Sequence, residues 1–465
     1  MKNLVYLLTL FAFTIFAVAQ ERSVVRGLGM AGSNTATTRG IDAIGINPAN
    51  LAIPDRGLIQ IGFASVGFRV SSELINYDIY QRYFTGVPGT GGTRVSKYLT
   101  DADKNELLGQ WPDFGESRLD VDINLMNLSF ESLVVGGIGF AIRDRMSGVW
   151  ALPKDYVKIY FFGLPEAGAM YNLGGTSISG MWFREYNFSY ARKLPEFIPF
   201  VRNVYVGIGY KLVRGYGYFE TSYYRSTFGN SVDNVGQYAV QGTVDFFTRR
   251  SGADFMSSES KTNFTPFPEP AGKGSAFDFG VSAEVMTGMR VAASVTDLGK
   301  ILWDKNVYET SGNAGFSFTG NFEETKDSLE HALKGETKRV NTSFETSLPS
   351  QFHAGVMMRS DQVSFLRWMP GQFTLAADYV QGLKTVGAST TKPRFSFGAE
   401  YRLIPLIPVR AGLALGGNDK PRLAAGFGLD VRVLSLDFAI YNFGMLFSPK
   451  NFQMVSLAVG LKARI

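Results

Sequence analysis

The sequence predicts an all-β protein, a transmembrane antiparallel β-barrel of about 14 strands. Three observations support this fold class. Apolar and polar residues alternate along many segments, these segments are long enough to cross a bilayer, and short connections alternate with long ones. A β-sandwich also alternates, but its strands average about 5 or 6 residues and its loops need not differ in length between the two ends.

The first 19 residues are predicted to form a signal peptide. Lys2 provides the positive start, residues 4–18 form an apolar run, and Ala17-Val18-Ala19 resembles a cleavage site. An uncleaved anchor helix is the alternative, although it would need about 20 apolar residues. Because no later segment is comparably apolar, we expect the chain to cross a membrane on strands.

Three glycines near the predicted cleavage site, Gly27, Gly29 and Gly32, have the spacing of a dinucleotide-binding turn. That turn needs a buried strand before its first glycine and a helix after its third, because the phosphate lies at the helix N-terminus. Only residues 20–26 would precede Gly27 after cleavage, too few for such a strand. The stretch RGLGMAGSNTATTRGIDAIGINPANLA is therefore better explained as a plug inside a pore.

Composition fits a barrel and argues against a nucleic-acid partner. The 465 residues include no cysteine, 19% are charged and the net charge is +5, with no Lys/Arg-rich run. Mean hydropathy is +0.01, near zero as in barrels, where only alternate strand residues need to be apolar. We expect no nucleic-acid binding, because no Lys/Arg-rich run gives it electrostatic support.

Alternation is clearest in GSAFDFGVSAEV, where Phe277, Phe279 and Val281 share one face and Asp278 and Glu284 share the other. Similar segments of about 10 to 14 residues, long enough for a tilted strand to cross a bilayer, recur along the chain. They lie near residues 57–70, 118–130, 133–145, 180–193, 203–216, 276–286, 289–297, 351–360, 371–382, 394–403, 407–416, 421–431, 434–446 and 453–465.

Connections between these segments fall into two classes. Tight turns such as Thr287-Gly288 alternate with long excursions, which predicts short periplasmic turns opposite long extracellular loops. The long excursions are residues 71–117, 146–179, 217–275 and 298–350. Within them, TDADKNELLGQW and EETKDSLEHALKGETK are predicted to be charged helices, the first with Thr100 and Asp103 as a capping pair.

The order of leader, GMAGSNTATTRGIDAIGINPAN and amphipathic strands resembles the FadL-like superfamily of outer-membrane long-chain fatty-acid transporters. FREYNFSYAR, SVTDLGKILWDKN and SLPSQFHAGV look like an uncharacterised family of Gram-negative envelope barrels within that superfamily. The resemblance implies a fourteen-stranded barrel over residues 57–465 and a luminal hatch over residues 20–56. It also implies the outer membrane of a Gram-negative bacterium. The chain departs from the usual outer-membrane pattern in ending on Ile465 rather than on an aromatic residue.

The resemblance places an Asn-Pro-Ala motif in the hatch, which matches Asn47, Pro48 and Ala49 here. Small residues suit a hatch, because irregular backbone at membrane depth must pack against protein or water. We expect the motif and the glycines Gly27, Gly29 and Gly32 to hold the hatch in a shape whose shift opens a path. A static stopper that only stabilises the barrel is the alternative.

Four cations at predicted lumen-facing positions could bind a carboxylate headgroup: Arg143, Lys211, Arg290 and Arg359. The alternative is a polar interior whose charges neutralise one another.

The segment KDYVKIYFFGLP is unusually apolar for a loop and is a second candidate for ligand binding. Its candidate residues are Tyr156, Ile159, Tyr160, Phe161 and Phe162. The resemblance implies that such a loop captures hydrophobic ligand first. The alternative is a short helix that covers the barrel mouth.

Enzyme chemistry is not expected. The chain has two histidines, His331 and His353, and no common catalytic or metal-binding motif, so we predict neither a cofactor nor a metal. A Ser-His lipase that uses His353 is the weaker alternative, because no activating partner can be named.

The sequence thus predicts an outer-membrane barrel that takes up fatty-acid-like hydrophobic molecules through a hatch-gated lumen. Expected partners are outer-membrane lipids, a hydrophobic ligand and an envelope protein. The alternative is a structural or partner-binding barrel of an envelope or secretion complex. A ligand route predicts an apolar path past the hatch, whereas a partner role predicts a filled lumen and a prominent loop surface.

Overall fold

The computed structural model describes residues 23–55, 57–89, 93–163, 166, 168–195, 201–232, 238–252, 267–319, 335–363, 370–386, 389–417, 421–431, 433–447 and 453–465. The predicted signal peptide, the first residues of the predicted hatch and His331 lie outside these ranges. Within them, no helix is both long and apolar enough to span a membrane.

Fourteen antiparallel strands form a closed barrel, which confirms the predicted fold class and strand number. They are β1 Ile59–Ser72, β2 Phe114–Ser132, β3 Gly136–Pro153, β4 Ser177–Lys193, β5 Arg202–Tyr224, β6 Gly272–Met286, β7 Met289–Trp303, β8 Gln351–Arg359, β9 Gln372–Gly382, β10 Arg394–Arg402, β11 Val409–Gly416, β12 Arg422–Asp430, β13 Leu434–Ile440 and β14 Met454–Arg464. Each strand pairs with the next, and β1 pairs with both β2 and β14. Phe63, for example, lies opposite Met126 and Leu461.

Side chains alternate between the two faces of the wall as predicted. On β6, Phe277, Phe279 and Val281 point outward and are 42%, 46% and 41% exposed, whereas Asp278 points inward and is fully buried. The exposed outward face is apolar and the lumen contains most of the buried charged residues. This distribution is that of a barrel surrounded by lipid.

The two ends of the barrel differ. The end that carries short connections such as residues 287–288, together with Ile465, is called the short-turn end below; the opposite end is called the long-loop end. Strands β2 to β5 continue well beyond the predicted segments at the long-loop end, and β5 reaches 23 residues.

All four predicted long loops contain further strands rather than only irregular chain. Val87–Pro88 and Arg94–Val95 lie in the first loop and Met170–Asn172 lies in the second, and the strands of the last two loops are longer. Residues Tyr238–Gly252 pair with the outer part of β5 and with Val307–Thr319, and further strands are Thr227–Val232, Glu336–Val340 and Phe344–Ser347. The predicted helix over residues 323–338 is therefore wrong in its last residues. Glu336–Val340 is a strand because it pairs with residues 307–311, a non-local partner that overrides helical composition. Residues 320–334 lie outside the described residues.

Helices are few and short. The structure has α1 Val25–Gly29, α2 Tyr77–Ile79, α3 Asp101–Gln110 and α4 Asp155–Phe162. A π-helix Tyr80–Phe84 follows α2, and 3₁₀ turns form at Gly40–Ala43, Pro48–Ala52 and Phe443–Leu446. The predicted capping box of α3 is present, with Thr100 and Asp103 bonded reciprocally. The short helix considered for the apolar loop is present as α4.

Candidate functional site: the plugged lumen

Residues 23–55, called the plug below, lie inside the barrel. Most of their side chains are buried, and their polar contacts reach strands around the whole wall. Ser23 donates to Asp122 on β2, the Asn34 and Thr35 amides donate to Asp378 on β9, and Lys462 on β14 donates to Asp42. The plug fills the part of the lumen nearest the short-turn end, because Asp55 is bonded to Glu131 at the end of β2. The exact bounds 20–56 stay a prediction.

The plug glycines allow close packing against the wall. A Cβ at Gly29 would lie 3.2 Å from the Gly426 Cα on β12, and Gly32 has a φ of +87° that favours glycine. A Cβ at Gly27 would lie 2.7 Å from the Asn34 side chain, so Gly27 serves packing within the plug. Their role in opening the lumen stays a prediction.

The Asn47-Pro48-Ala49 motif begins a 3₁₀ turn pressed against β5 and β6. The Asn47 Oδ1 accepts from the Ala49 amide at 3.2 Å, and its Nδ2 donates to the Ser282 hydroxyl at 3.2 Å. A Cβ at Gly207 would lie 2.4 Å from the Pro48 carbonyl carbon, and one at Gly280 would lie 2.0 Å from the Asn47 Oδ1. The motif therefore touches the wall at two glycines, where no larger residue fits without a shift.

A layer of buried charges crosses the lumen beside the plug. Lys211 contacts Asp297 at 2.5 Å and Asp278 at 3.1 Å, and Arg145 contacts Asp297 at 2.7 Å and Glu185 at 3.5 Å. Their side chains are at most 3% exposed. This charge layer is held by ion pairs in a region closed to water, where breaking one pair is costly.

Two of the four predicted ligand-binding cations belong to this layer. Lys211 is at its centre, and Arg143 donates to Asn124 at 2.7 Å and lies 3.7 Å from Asp122. Both have acidic partners, as expected for a self-neutralising interior. Their binding of a ligand headgroup stays a prediction.

The other two cations lie nearer the short-turn end. Arg290 donates to the Ala36 carbonyl at 3.3 Å and lies 3.5 Å from Glu284. Arg359 forms an ion pair with Asp361 at 2.7 Å and lines a polar cavity of about 330 Å³. Arg359 is therefore the one of the four predicted cations that lines this cavity.

The five predicted aromatic and aliphatic loop residues divide between two environments. Phe161 packs on the cluster of Ile79, Tyr83 and Leu107, and Ile159 is half-buried. Tyr156 accepts a hydrogen bond from Thr176, and burial raises the pKa of its hydroxyl. Tyr160 and Phe162 remain 51% and 39% exposed. Of the five residues, only Tyr160 and Phe162 therefore expose a substantial apolar surface on α4.

An apolar cluster inside the lumen was not predicted from the sequence. It is built from inward-facing side chains of β4, β5 and β7 and from the segment before β8: Met181, Phe183, Val213, Ile301, Trp303 and Leu348. The Arg145 guanidinium lies 5.3 Å from the centre of the Phe183 ring, so this inner apolar cluster borders the charge layer on the side of the long-loop end. The sequence does contain a signal for this cluster. On β5 the residues that face the lumen change from polar to apolar, as from Lys211 to Val213 two positions later.

Enzyme and metal chemistry gain no support within the described residues. No group of three or more His, Asp or Glu side chains there is placed to hold a metal ion. His353 is buried, and its Nε2 lies 3.4 Å from the Thr296 hydroxyl.

Solved structures similar to this chain include a monoaromatic hydrocarbon channel, a toluene transporter and a FadL homologue. A deltaS2S3 mutant of TodX, a monoaromatic hydrocarbon channel of P. putida, is 12% identical with a TM-score of 0.50 and covers 95% of this chain and 98% of its own. The Ralstonia pickettii toluene transporter TbuX is 12% identical with a TM-score of 0.46 over 98% and 100%. A Pseudomonas aeruginosa FadL homologue is 12% identical with a TM-score of 0.47 over 97% and 99%.

Comparison with curated protein sequences finds no match. The likeness to the TodX mutant shows a shared barrel fold, and at 12% identity it speaks for the fold alone. The sequence also matches a family model over residues 48–439, most of the barrel and the end of the plug. The chain belongs to that family, which is described as a family of unknown function (DUF5723).

Proposed function

We propose that this protein lies in the outer membrane of a Gram-negative bacterium and takes up small hydrophobic molecules through its lumen, with the plug as a gate. The short-turn end would face the periplasm and the long-loop end the outside, as in other single-chain barrels.

The inner apolar cluster is the observation that carries this proposal. Inward-facing residues of a membrane barrel are normally polar, because the lumen is filled with water or with a polar plug. Here Phe183, Val213 and Trp303 are inward-facing and fully buried between the charge layer and the long-loop end. Apolar side chains at that level suit a hydrophobic cargo that has entered from outside.

An outer surface for first contact would lie on α4. Tyr160 and Phe162 are exposed there, and exposed apolar patches commonly mark binding sites. The similar structure TodX is named a monoaromatic hydrocarbon channel, which agrees with an apolar and aromatic cargo. The proposal also includes a fatty-acid-like cargo. Arg359 lines the polar cavity near the short-turn end and could pair there with the carboxylate of such a molecule.

The described lumen is closed, so transport would require a rearrangement of the plug. The plug is joined to the wall by hydrogen bonds and ion pairs, such as Asn47 to Ser282 and Arg26 to Glu400, and by small apolar clusters, such as Met30 with Met357. A neutral hydrogen bond can be exchanged for one with water at modest net cost, whereas the ion pairs and the apolar packing resist the rearrangement. A plug that never moves would make the barrel a structural protein.

Ligand binding can be tested with a matched pair of variants on β5. Val213→Thr adds a hydroxyl to the inner apolar cluster at nearly constant volume, whereas Val206→Thr makes the same change on the outward face, where Val206 is 37% exposed. Toluene and a brominated fatty acid serve as probes, with quenching of tryptophan fluorescence as the readout and Trp303→Phe as the assignment control. We expect Val213→Thr alone to weaken binding several-fold. Equal binding by both variants would contradict a cargo site in the cluster.

A barrel that binds a protein partner is the second candidate. The charge layer fills the centre of the lumen, and strands Tyr238–Gly252 and Val307–Thr319 project beyond the barrel as a sheet, which provides a large surface. Native mass spectrometry of detergent-extracted protein separates the two functions. A retained small hydrophobic molecule supports uptake, and a stoichiometric protein partner with no such molecule supports the second candidate.

A further inference from the structure

A row of basic residues crosses the outward face of the wall. Arg184 on β4 lies directly opposite Arg214 on β5, and Arg214 lies directly opposite Lys273 on β6. All three point away from the lumen, because their neighbours Phe183, Val213 and Gly272 face the inner apolar cluster. Residues directly opposite on antiparallel strands have Cβ atoms about 4.5–5.5 Å apart.

The positive charges in this row exceed its negative charges. On β3, Asp144 lies opposite Arg184, and its carboxylate accepts two bonds from that guanidinium at 2.6 and 2.7 Å. Arg214 and Lys273 form no ion pair with any described carboxylate, including Glu269 in the segment before β6. Like charges placed directly opposite destabilise a sheet. An anion that contacts both cations would remove this repulsion.

The basic row begins where the apolar outer surface ends. Below it, in the same cross-strand alignment, lie the outward-facing side chains Phe188, Tyr210 and Phe277. Phe267 caps the row, with its ring centre 4.9 Å from the Arg184 guanidinium. Aromatic residues of this kind form girdles at the boundary between hydrocarbon and headgroups.

Strand geometry agrees with this height. Arg184 is nine residues from the short-turn end of β4, which corresponds to about 23 Å along the barrel axis for a strand tilted by about 40°. The apolar band of such barrels is about 25 Å tall. Arg184 therefore lies at the outer edge of the band, and Arg214 and Lys273 lie slightly beyond it.

We infer that Arg214 and Lys273, next to the Arg184–Asp144 pair, bind the phosphate group of an outer-leaflet lipid. Both cations are at the level of lipid phosphates, Lys273 is exposed and Arg214 is half-buried on the outward face, and neither has a counter-charge among the described residues. This site requires that the barrel lies in an outer membrane but not that it transports a cargo, so its test is independent of uptake.

Retention of a phosphorylated lipid tests the site. Full-length protein is reconstituted with bisphosphorylated lipid A or with its dephosphorylated form, extracted in mild detergent and weighed by native mass spectrometry. We expect wild-type protein to retain the phosphorylated form, and Arg214→Gln/Lys273→Gln to retain roughly tenfold less. Lys300→Gln is the matched control, because Lys300 is an outward-facing lysine paired with Glu345 at 2.7 Å.

Three outcomes would overturn the inference. They are equal retention by the double variant and wild type, equal retention of the two lipid forms, and displacement of the lipid by inorganic phosphate, which would indicate a site for free anions. Slower gel migration of the boiled than of the unboiled double variant would establish that it is folded, and its retention of toluene would show separately whether uptake is affected.

Discussion

Arg26 of the plug forms a bidentate ion pair with Glu400 on β10. Its Nε donates to Oε2 at 2.9 Å and its Nη2 donates to Oε1 at 3.1 Å. The same guanidinium donates to the Thr37 carbonyl within the plug at 2.8 Å. Glu400 is also held by Arg402 and Arg410 on the wall. The plug therefore contributes one of three cations around a single buried carboxylate, and the wall can keep that carboxylate neutralised without it.

Replacement of Arg26 should loosen the plug without unfolding the barrel. Arg26→Gln removes a charge-assisted contact between plug and wall worth about 1.5–3 kcal/mol, while Arg402 and Arg410 still compensate Glu400. We expect the frequency of channel openings in planar bilayers to rise about tenfold or more. Arg39→Gln is the control, because Arg39 donates to the Pro54 carbonyl inside the plug. A conductance equal to that of wild type would favour a static stopper.

The contact of the Asn-Pro-Ala motif with the wall should be sensitive to one methyl group. Gly207→Ala would place a Cβ 2.4 Å from the Pro48 carbonyl carbon, so the plug or β5 must shift at a cost of about 1–3 kcal/mol. We expect faster protease cleavage of the plug in folded protein. Gly315→Ala, whose Cβ would meet nothing closer than 4.0 Å, should leave the cleavage rate unchanged. Equal cleavage rates for the two variants would show that the contact between the motif and Gly207 does not hold the plug in place.

The barrel strands could be predicted because alternation records directly which face of the wall each residue occupies. The prediction for β7 stopped at residue 297, whereas the strand continues to Trp303. Asp297 has a φ of +60° and forms a bulge, so Thr296 and Asp297 are both buried and the alternation shifts by one residue. A break in period was thus mistaken for the end of a strand.

The candidate site was less predictable because its contacts join distant parts of the chain. Asp378 is an inward-facing carboxylate, but the partners it finds, the amides of Asn34 and Thr35, lie more than 340 residues earlier. The same holds for Lys211, whose partner Asp297 turns inward only through the bulge. Alternation gives the face of each charge, whereas the choice of partner depends on strand order, stagger and the path of the plug.

The cap of α3 should respond to acid. The Lys97 ammonium donates to the Asp103 carboxylate, and together with two bonds from Thr100 it lowers the pKa of Asp103 from 3.8 to about 2. Because this folded-state pKa is below the ordinary value, the stabilisation is complete above pH 3.8 and is lost as the pH falls through about 2. Carboxyl NMR titration should show this value, and Lys97→Met should move it upward. An unchanged value in the variant would remove Lys97 as the main cause.

Removal of the central cation of the charge layer should destabilise the barrel strongly. Lys211→Met leaves Asp278 and Asp297 buried with Arg145 as their nearest remaining cation, and breaking a buried pair in this way costs about 3–5 kcal/mol. We expect unfolding at a lower midpoint concentration of urea. The measurement is the difference in gel migration between the folded and the unfolded barrel. Lys300→Met breaks an exposed pair with Glu345 and should cost about 1 kcal/mol or less.

A second substitution distinguishes lost charge balance from lost packing. Lys211→Met/Asp297→Asn removes one cation and one carboxylate together, so it should recover part of the stability lost in Lys211→Met. If packing of the lysine chain were the main contribution, the second change would add to the loss, because Asp297 also accepts from Arg145 at 2.7 Å. Recovery would therefore identify the charge layer as a coupled unit, whose neutrality matters more than any single contact in it.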